Sequence, residues 1–121
     1  MKIYIAGHNQ EIAISIREEI LLLRDHKVTA RWLDKEFNRT DEHSERERVM
    51  IAQEDYDDIT SADALLLIAS HKRVPGGKFV EAGIALGQGK PVHVIGHREN
   101  MLMWHPDVHQ FDSLDDWLNA H

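Results

Sequence analysis

The sequence has no cysteine, little positive charge and no apolar run long enough to cross a membrane. Without cysteine, the chain forms no disulfide, no thiolate metal site and no thiol nucleophile. Its 14 Lys and Arg residues are outnumbered by 21 Asp and Glu residues, which gives a formal net charge of −7. Because such a chain repels a phosphate backbone, we expect no polymeric DNA or RNA partner, and no membrane partner. A small anionic ligand remains compatible with this charge, since a helix N-terminus supplies local positive potential.

The remaining composition is that of a globular protein. Apolar residues make up 42% of the chain and charged residues 29%, close to the average for folded domains. A length of 121 residues fits one domain, over residues 1–121. The N-terminal residues run directly into a β-forming segment, without the pattern of a signal peptide. We therefore expect a single cytoplasmic domain.

Apolar segments and capping signals predict alternating strands and helices. Strands are predicted over 2–6, 28–33, 64–69 and 91–95, and a polar connection over 34–43. Helices are predicted after Asn9 with an apolar face of Ile12, Ile16, Ile20 and Leu23, after Ser44 with a face of Val49, Ala52, Tyr56 and Ile59, over 79–86, and after Asp112 or Ser113. This alternation indicates an α/β fold, a Rossmann-like or flavodoxin-like three-layer sandwich with a mostly parallel sheet of four or five strands. Ligands of such sheets bind beyond the carboxyl ends of the strands, which selects the loops at 7–9, 70–78 and 96–100.

Glu81 follows the segment Gly76-Gly77-Lys78, in which two glycines allow a loop to turn tightly into a helix. We expect Glu81 within about a turn of the helix start, where the helix dipole favours an ionised carboxylate. An ionised carboxylate beside a ligand cleft suits a nucleophile or the stabilisation of an oxocarbenium ion. The alternative is that Glu81 only complements the dipole on a solvated face.

Asp55 shares a helical stripe with Ile51 and Ile59, because the three residues are four positions apart. It is also predicted near the C-terminal end of its helix, where the dipole opposes negative charge. Both effects raise the proton affinity of Asp55 and make it a candidate acid. In the alternative, Asp55 belongs to a solvated acidic face. If the sharper hypotheses hold, Glu81 and Asp55 are pushed toward opposite protonation states, as the cleavage of a glycosidic bond requires.

Other candidate residues each admit two interpretations. Tyr4, on the first strand, either directs its hydroxyl at the cleft or belongs to the core. The apolar cluster 101–104 is either the wall of a pocket or a subunit contact, or else it is ordinary core. Two pairs of histidines four residues apart, at 93 and 97 and at 105 and 109, lack the His-Glu-x-x-His context, so we expect no zinc or other metal.

Taken together in their order and spacing, several segments resemble the nucleoside 2-deoxyribosyltransferase family, including its relatives that hydrolyse 2'-deoxynucleoside 5'-monophosphates. The segments are Ile3–Gly7, Asp55–Ile59 followed by Ala62-Asp63, Gly76–Ala85 and Gly89–Val92. The resemblance covers most of the chain. It implies that Glu81 is the nucleophile that attacks the anomeric carbon, that Tyr4 orients this carboxylate, and that Asp55 is the acid that handles the departing base.

The resemblance also implies how a substrate is held. Contacts with the substrate are expected from Gly7, His8, Asn9, Gly76, Gly77, Lys78, Asn100 and Met101. Asn100 resembles a residue that family members contribute to a neighbouring subunit's site, so a homodimer or higher homo-oligomer is expected. One departure from the family pattern is Pro75, which stands near the place of an acid that often precedes the nucleophile.

The expected function is therefore the transfer of 2-deoxyribose between nucleobases through a covalent deoxyribosyl–Glu81 intermediate, without a cofactor. One alternative is a hydrolase of 2'-deoxynucleoside 5'-monophosphates, in which Lys78 and the free amides near Gly77 hold the phosphate. The other is a non-catalytic nucleotide-binding or sensing module on the same scaffold.

Overall fold

The computed structural model describes residues 1–23, 25–35 and 43–121. Strands and helices alternate along these residues. The strands are β1 (Lys2–Ala6), β2 (Lys27–Val28), β3 (Ala64–Ile68), β4 (Val92–Ile95) and β5 (Val108–Phe111). The helices are α1 (Gln10–Leu21), α2 (Glu45–Ser61), α3 (Gly77–Gly87) and α4 (Leu114–Ala120), with short 3₁₀ turns at Arg31–Asp34 and Met101–Trp104.

The described strands form one sheet in the order β2-β1-β3-β4-β5, and every pair of neighbours is parallel. This confirms the predicted α/β fold and its sheet of four or five strands. After β1 the chain moves outward to β2, whereas after β3 it moves in the opposite direction to β4. The crevice at the carboxyl ends of β1 and β3 is therefore the topological switch point, where α/β sheets bind their ligands.

The core lies on both faces of the central strands. Ile3, Tyr4 and Ile5 of β1 are fully buried, as are residues 65–67 of β3. Strands covered on both faces need a continuous apolar run, which is the pattern that these two segments show in the sequence. The indole of Trp117 in α4 closes the core beside β4 and β5. No helix among the described residues combines the length and apolarity that a membrane span needs.

The predicted helix starts are confirmed by their caps. The Asn9 side chain accepts a hydrogen bond from the Ile12 amide at 3.1 Å, and Ser44 accepts one from the Glu47 amide at 3.2 Å. Of the two residues predicted to cap α4, Ser113 does so, through the Asp116 amide at 3.1 Å. Side chains that accept the free N–H groups of a first turn fix where a helix begins.

The predicted second strand exists but is much shorter than 28–33, because β2 ends at Val28 and a 3₁₀ turn follows at Arg31–Asp34. Partners distant in sequence account for the turn. The amide and guanidinium of Arg31 both donate to the Asp58 carboxylate at 2.9 Å. The indole N–H of Trp32 donates to the carbonyl of Ile5 at 2.8 Å. Most of the predicted polar connection over 34–43 lies outside the described residues.

The predicted apolar helix faces are only partly right. On α1, Ile16 and Ile20 are buried, but Ile12 is 49% exposed. On α2, Ile59 is buried, whereas Val49 and Tyr56 are 57% and 50% exposed. Helix α2 therefore presents apolar side chains that the described residues do not cover.

Candidate active site

A hydrogen bond between β1 and α3 sits at the centre of the candidate site. Tyr4 is fully buried on β1, and its phenol donates to Oε2 of Glu81 on α3. Burial, and after it the negative charge of Glu81, raise the pKa of Tyr4 far above its ordinary value. The phenol therefore keeps its proton and acts as a permanent donor. Because Tyr4 occupies Oε2, the second carboxylate oxygen of Glu81 is left for chemistry.

Opposing effects bring the pKa of the Glu81 carboxyl close to neutral pH. Burial raises its pKa to about 7, the hydrogen bond from Tyr4 lowers it, and the charge of Asp55 raises it. The helix dipole was the expected determinant, but Glu81 stands beyond the first turn of α3, whose first turn holds no acid. Because the dipole effect fades after the first turn, burial determines the direction of the shift.

Asp55 brings a second carboxyl to the same place from α2. Burial raises its pKa to about 6; the charge of Lys35 lowers it, and that of Asp58 raises it. The raised pKa of Asp55 agrees with the sequence-based expectation for an acid. However, the pKa values of Asp55 and Glu81 are both raised, whereas the sequence analysis expected shifts in opposite directions. The charge of Asp55 is one of the causes that raise the pKa of Glu81, and the pKa of Glu81 is the higher of the two, so between the two values the remaining proton lies on Glu81.

A cavity of about 220 Å³ joins the two carboxyls to the loops at the switch point. Its walls come from the loops after β1 and β3, the 3₁₀ turn after β2, and helices α2 and α3. They are formed by Gly7, His8, Trp32, Ile51, Asp55, Pro75, Gly77, Lys78 and Glu81. Two carboxyls facing one small cavity, one of them aligned by a buried donor, form an arrangement suited to nucleophilic displacement with acid assistance.

The structure places the predicted contact residues in different locations. Gly7, His8, Gly77 and Lys78 line the cavity, but Asn9, Gly76, Asn100 and Met101 do not. Asn9 caps α1, and Gly76 immediately precedes α3. Asn100 precedes the second 3₁₀ turn, where Met101 is 82% exposed.

Lys78 is not available as a free cation. Its side chain is buried, and its ammonium donates to the carbonyl of Ile68 at 3.1 Å and to Oε1 of Glu99 at 2.9 Å. The Glu99 carboxylate therefore neutralises the charge that was expected to hold a phosphate. This buried ion pair holds the first turn of α3 against the end of β3, and it contributes no net charge to the cavity.

Sequence reasoning missed two apolar walls of the site, Trp32 and Ile51. The indole N–H of Trp32 is held by the Ile5 carbonyl, so the ring is fixed at the cavity. Ile51 lies one turn before Asp55 on α2 and lines the same cavity. Trp32 was missed because the sequence placed it inside a strand over 28–33, whereas in the structure it follows β2, in a turn of the kind that carries ligands.

The described residues hold no group of three or more His, Asp or Glu side chains arranged to bind a metal ion. The paired histidines have other surroundings. Nδ1 of His93 accepts a hydrogen bond from the Trp117 indole at 2.7 Å, inside the packing of α4 on the sheet. His97 stacks on His71, with ring centroids 5.0 Å apart.

Comparison with solved structures finds the same fold in several proteins. A 2-deoxyribosyltransferase from Bacillus psychrosaccharolyticus is 25% identical, with a TM-score of 0.75, over 98% of this chain and 91% of that one. A CMP N-glycosidase from Clostridium botulinum is 17% identical, with a TM-score of 0.61, over 99% and 97% of the two chains. A conserved protein from Enterococcus faecalis V583 is 16% identical, with a TM-score of 0.69, over 100% and 99%.

Comparison with curated protein sequences finds no match. The model of one protein family, nucleoside 2-deoxyribosyltransferase, matches residues 3–116, which include β1, α2 and α3 with their candidate site residues. That match spans nearly the whole chain and confirms the resemblance found in the sequence. The chain belongs to the nucleoside 2-deoxyribosyltransferase family.

Proposed function

We propose that the protein cleaves the N-glycosidic bond of 2'-deoxynucleosides and transfers the sugar to another nucleobase. The observation that carries this proposal is the pairing of Tyr4 with Glu81 at a cavity shared with Asp55. Family membership supports the assignment of the N-glycosidic bond as the bond that is cleaved. The similarity to a 2-deoxyribosyltransferase supports the transfer of the sugar to another base.

In the first step, the free carboxylate oxygen of Glu81 attacks C1' of the sugar. A bond forms between that oxygen and C1' while the C1'–N bond breaks, and its electron pair goes to the base. Asp55 delivers a proton to the departing base, which leaves neutral. In this step Glu81 reacts ionised and Asp55 reacts protonated, so the proton that Glu81 holds more tightly in the free protein must lie on Asp55 when the substrate is bound.

In the second step, a nitrogen of the incoming base attacks C1' from the side that the first base left. The bond from C1' to Glu81 breaks and returns the electron pair to the carboxylate, while Asp55 accepts the proton of the incoming base. Because a 2'-deoxy sugar lacks the electron-withdrawing 2'-hydroxyl, its oxocarbenium-like transition state forms readily. The protein therefore supplies orientation and charge placement rather than a cofactor.

Trp32 and Ile51 provide the apolar surface that a flat base requires. Both line the cavity that Asp55 also lines, and the Trp32 ring is fixed by its hydrogen bond to the Ile5 carbonyl. A base held against them presents a ring nitrogen to the Asp55 carboxyl. Aromatic stacking contributes affinity to any base, so these walls fix the position of the base and not its identity.

We also propose a homo-oligomer, at least a dimer, in which each site is completed by Asn100 and Met101 of a second copy. Three of the four residues in the second 3₁₀ turn are strongly exposed: Met101 at 82%, Leu102 at 68% and Trp104 at 66%. Exposed apolar residues grouped in this way are typical of a protein interface. The uncovered apolar face of α2 supports the same conclusion.

The test is base release from 2'-deoxynucleosides, followed by chromatography with and without a second base. We expect wild-type protein to form the new nucleoside, and Glu81→Ala to lose at least 1,000-fold in rate, because a missing nucleophile removes the covalent route. Glu18→Ala, which removes an exposed carboxylate on α1, is the matched control. Intact-protein mass spectrometry after brief exposure to substrate should show one deoxyribosyl group on the wild type and on the Glu18→Ala control, and none on Glu81→Ala. Ligand-dependent stabilisation without base release would instead support a non-catalytic binding module.

A further inference from the structure

The base wall at Trp32 belongs to a short 3₁₀ turn, Arg31–Asp34, that contacts both α1 and α2. Trp32 lines the cavity of the candidate site. Backbone hydrogen bonds donated by the amides of Leu33 and Lys35 close the turn, and both are 3.3 Å long, which is long for an N–H···O bond. A single 3₁₀ turn therefore holds its own shape weakly, and the place of Trp32 depends on partners outside the turn.

The side chain of Gln10, the first residue of α1, supplies such a partner. Its amide nitrogen lies 3.0 Å from the carbonyl oxygen of Trp32, 3.4 Å from that of Leu33 and 2.6 Å from that of Lys35. Three carbonyl oxygens around one point repel one another unless a donor lies among them. The Gln10 amide carries two N–H donors, and these contacts are partly buried. Loss of the amide therefore leaves acceptors unpaired and drives the segment apart.

Ion pairs hold the two ends of the same segment on α2. Arg31 pairs with Asp58 at 2.9 Å, and Lys35 pairs with Glu54. These contacts fix the ends of the segment relative to α2. The Gln10 amide instead reaches the two carbonyls between those ends, so it sets the position of the main chain relative to α1.

Gln10 also joins two walls of the cavity. It directly follows the loop after β1, which forms one wall, and its amide reaches the turn that brings Trp32 to another. The indole N–H of Trp32 donates to the Ile5 carbonyl of β1 at 2.8 Å. The main chain and the ring of Trp32 are therefore held by separate hydrogen bonds, one from Gln10 and one to β1.

We infer that Gln10 is a positioning residue for the nucleobase: by holding carbonyls of the segment 32–35, its side-chain amide keeps Trp32 where it contacts the base. The inference rests on the proposed function, because it takes Trp32 and Ile51 to be the walls against which the base binds. Gln10 is not a wall of the cavity itself, so it acts through Trp32. Because Trp32 contacts the base both before and during cleavage of the C1'–N bond, a weaker contact lowers the affinity for the ground state and the transition state alike.

The experiment measures kcat and KM for a 2'-deoxynucleoside, at a saturating concentration of the second base, in the wild type, Gln10→Met and the control Gln53→Met. Methionine keeps the length of glutamine but donates no hydrogen bond. Gln53 is exposed on α2 and does not line the cavity of the site, so the control makes the same chemical change elsewhere. We expect Gln10→Met to raise KM by about 5- to 20-fold and to change kcat by less than about threefold, because uniform binding is lost. The control should keep both constants. A lower kcat with an unchanged KM, as partial unfolding produces, would overturn the inference, and so would an equal rise of KM in the control.

A double variant shows whether Gln10 acts through Trp32. Trp32→Leu should raise KM at least as much as Gln10→Met does. The double variant Gln10→Met/Trp32→Leu should raise KM no further than Trp32→Leu, because the ring through which Gln10 acts is already absent. If the two effects multiply, Gln10 acts independently of Trp32 and the inference is overturned.

Hydrogen exchange of the Trp32 indole N–H, followed by NMR, separates this inference from the proposed function. The signal is identified by its absence in Trp32→Leu. Its exchange should be at least about tenfold faster in Gln10→Met than in the wild type and in Gln53→Met, because the turn opens more often. If the wild type releases no base from any 2'-deoxynucleoside, the proposed function fails. An unchanged exchange rate in Gln10→Met overturns the role of Gln10, whether or not base is released.

Discussion

The phenol of Tyr4 donates to Oε2 of Glu81, a residue that lines the cavity, and leaves the other carboxylate oxygen without this hydrogen bond. This single bond joins the first strand of the sheet to the helix after the third strand. It stabilises the ionised form of Glu81 against the burial that favours the protonated form. The reactivity of Glu81 near neutral pH therefore depends on a neighbour 77 positions away in sequence.

Replacing Tyr4 with Phe should shift the pH dependence of activity and not only lower the rate. The hydrogen bond lowers the pKa of Glu81, so its loss raises that pKa and moves the acidic limb of the kcat/KM profile to higher pH. We expect a loss of about 10- to 100-fold at neutral pH, with partial recovery at alkaline pH. Tyr56→Phe, at an exposed position on α2, is the control and should leave the profile unchanged. A Tyr4 variant with a lower rate but an unshifted profile would show that Tyr4 does not act through Glu81.

Replacing Asp55 with Asn should impair the reaction according to the leaving group. Without a proton donor, the base departs as an anion, and we expect a loss of about 100- to 10,000-fold with 2'-deoxynucleosides. A 2-deoxyriboside with a nitrophenolate leaving group needs no proton and should be cleaved at close to the wild-type rate. Asp57→Asn removes a neighbouring exposed acid on the same helix and serves as the control. Equal losses on both substrates would contradict the role of Asp55 as the acid.

Most of the fold was predictable from local patterns. The run 64–69 is apolar throughout and the runs 2–6 and 91–95 are mostly apolar, and all three became parallel strands of the sheet. The caps at Asn9 and Ser44 were predictable because a capping side chain bonds only to residues a few positions away. The length of the second strand was not predictable, because the Asp58 carboxylate that holds Arg31 out of the sheet lies 27 residues further along the chain.

The candidate site shows the same division between local and distant effects. Residue types and spacing identified Glu81 and Asp55, and the fold brings both to one cavity. The state of Glu81 was misjudged because the helix dipole is a local effect, whereas burial depends on the packing of α3 against the sheet. The pairing of Lys78 with Glu99 was not predictable, because Glu99 lies 21 positions away, beyond any motif. Distant pairs of this kind become visible only in the folded chain.

The buried carboxylate of Glu81 should lower the free energy of unfolding of the protein above neutral pH. Its pKa rises from 4.5 to about 7 on folding, so above neutral pH the folded state must hold a carboxylate that the unfolded state ionises more easily. Replacing Glu81 with Gln removes this penalty and leaves an amide oxygen to accept from Tyr4. At pH 8 we expect the variant to be more stable than the wild type by about 2–3 kcal/mol. Urea unfolding at pH 8 and pH 5 measures the difference, which should shrink as the pH falls. A difference that does not depend on pH would contradict the shifted pKa.

His93 should make the fold sensitive to acid. Burial, followed by the charges of His121 and His109, lowers its pKa from 6.5 to about 4. A lowered pKa for a base means that the unfolded state binds the proton first, so stability is lost as the pH falls from about 6.5 to about 4. Between pH 7 and pH 5 the protonation of His93 alone should lower the free energy of unfolding of the wild type by about 2 kcal/mol. The His93→Gln variant should not show this decrease. The buried carboxyls Glu81 and Asp55 titrate in the opposite sense, and their effect cancels when the wild type is compared with the variant.

The measurement is the free energy of urea unfolding of both proteins at pH 7 and pH 5. His8→Gln, at an exposed position, should follow the wild type. Because Trp117 donates to His93, its fluorescence reports directly on the docking of α4. Parallel pH dependence in the wild type and His93→Gln would show that this histidine is not the acid-sensitive group.

Mixing two inactive variants should restore activity if a second copy completes the site. Glu81→Ala destroys the nucleophile, and Asn100→Ala removes the residue proposed to reach the neighbouring copy. A mixed dimer then contains one site with an intact Glu81 from one chain and an intact Asn100 from the other. We expect neither variant alone to be active and the refolded mixture to regain a measurable fraction of the wild-type rate.

Trp104→Glu places a charge on the exposed 3₁₀ turn and should shift the protein toward monomers in sedimentation velocity, because burying an unpaired charge opposes association. The control Leu22→Glu changes another exposed apolar position and should leave the assembly intact. If the mixture stays inactive while the wild type sediments as a dimer, each site is complete within one chain, and Asn100 acts within its own subunit.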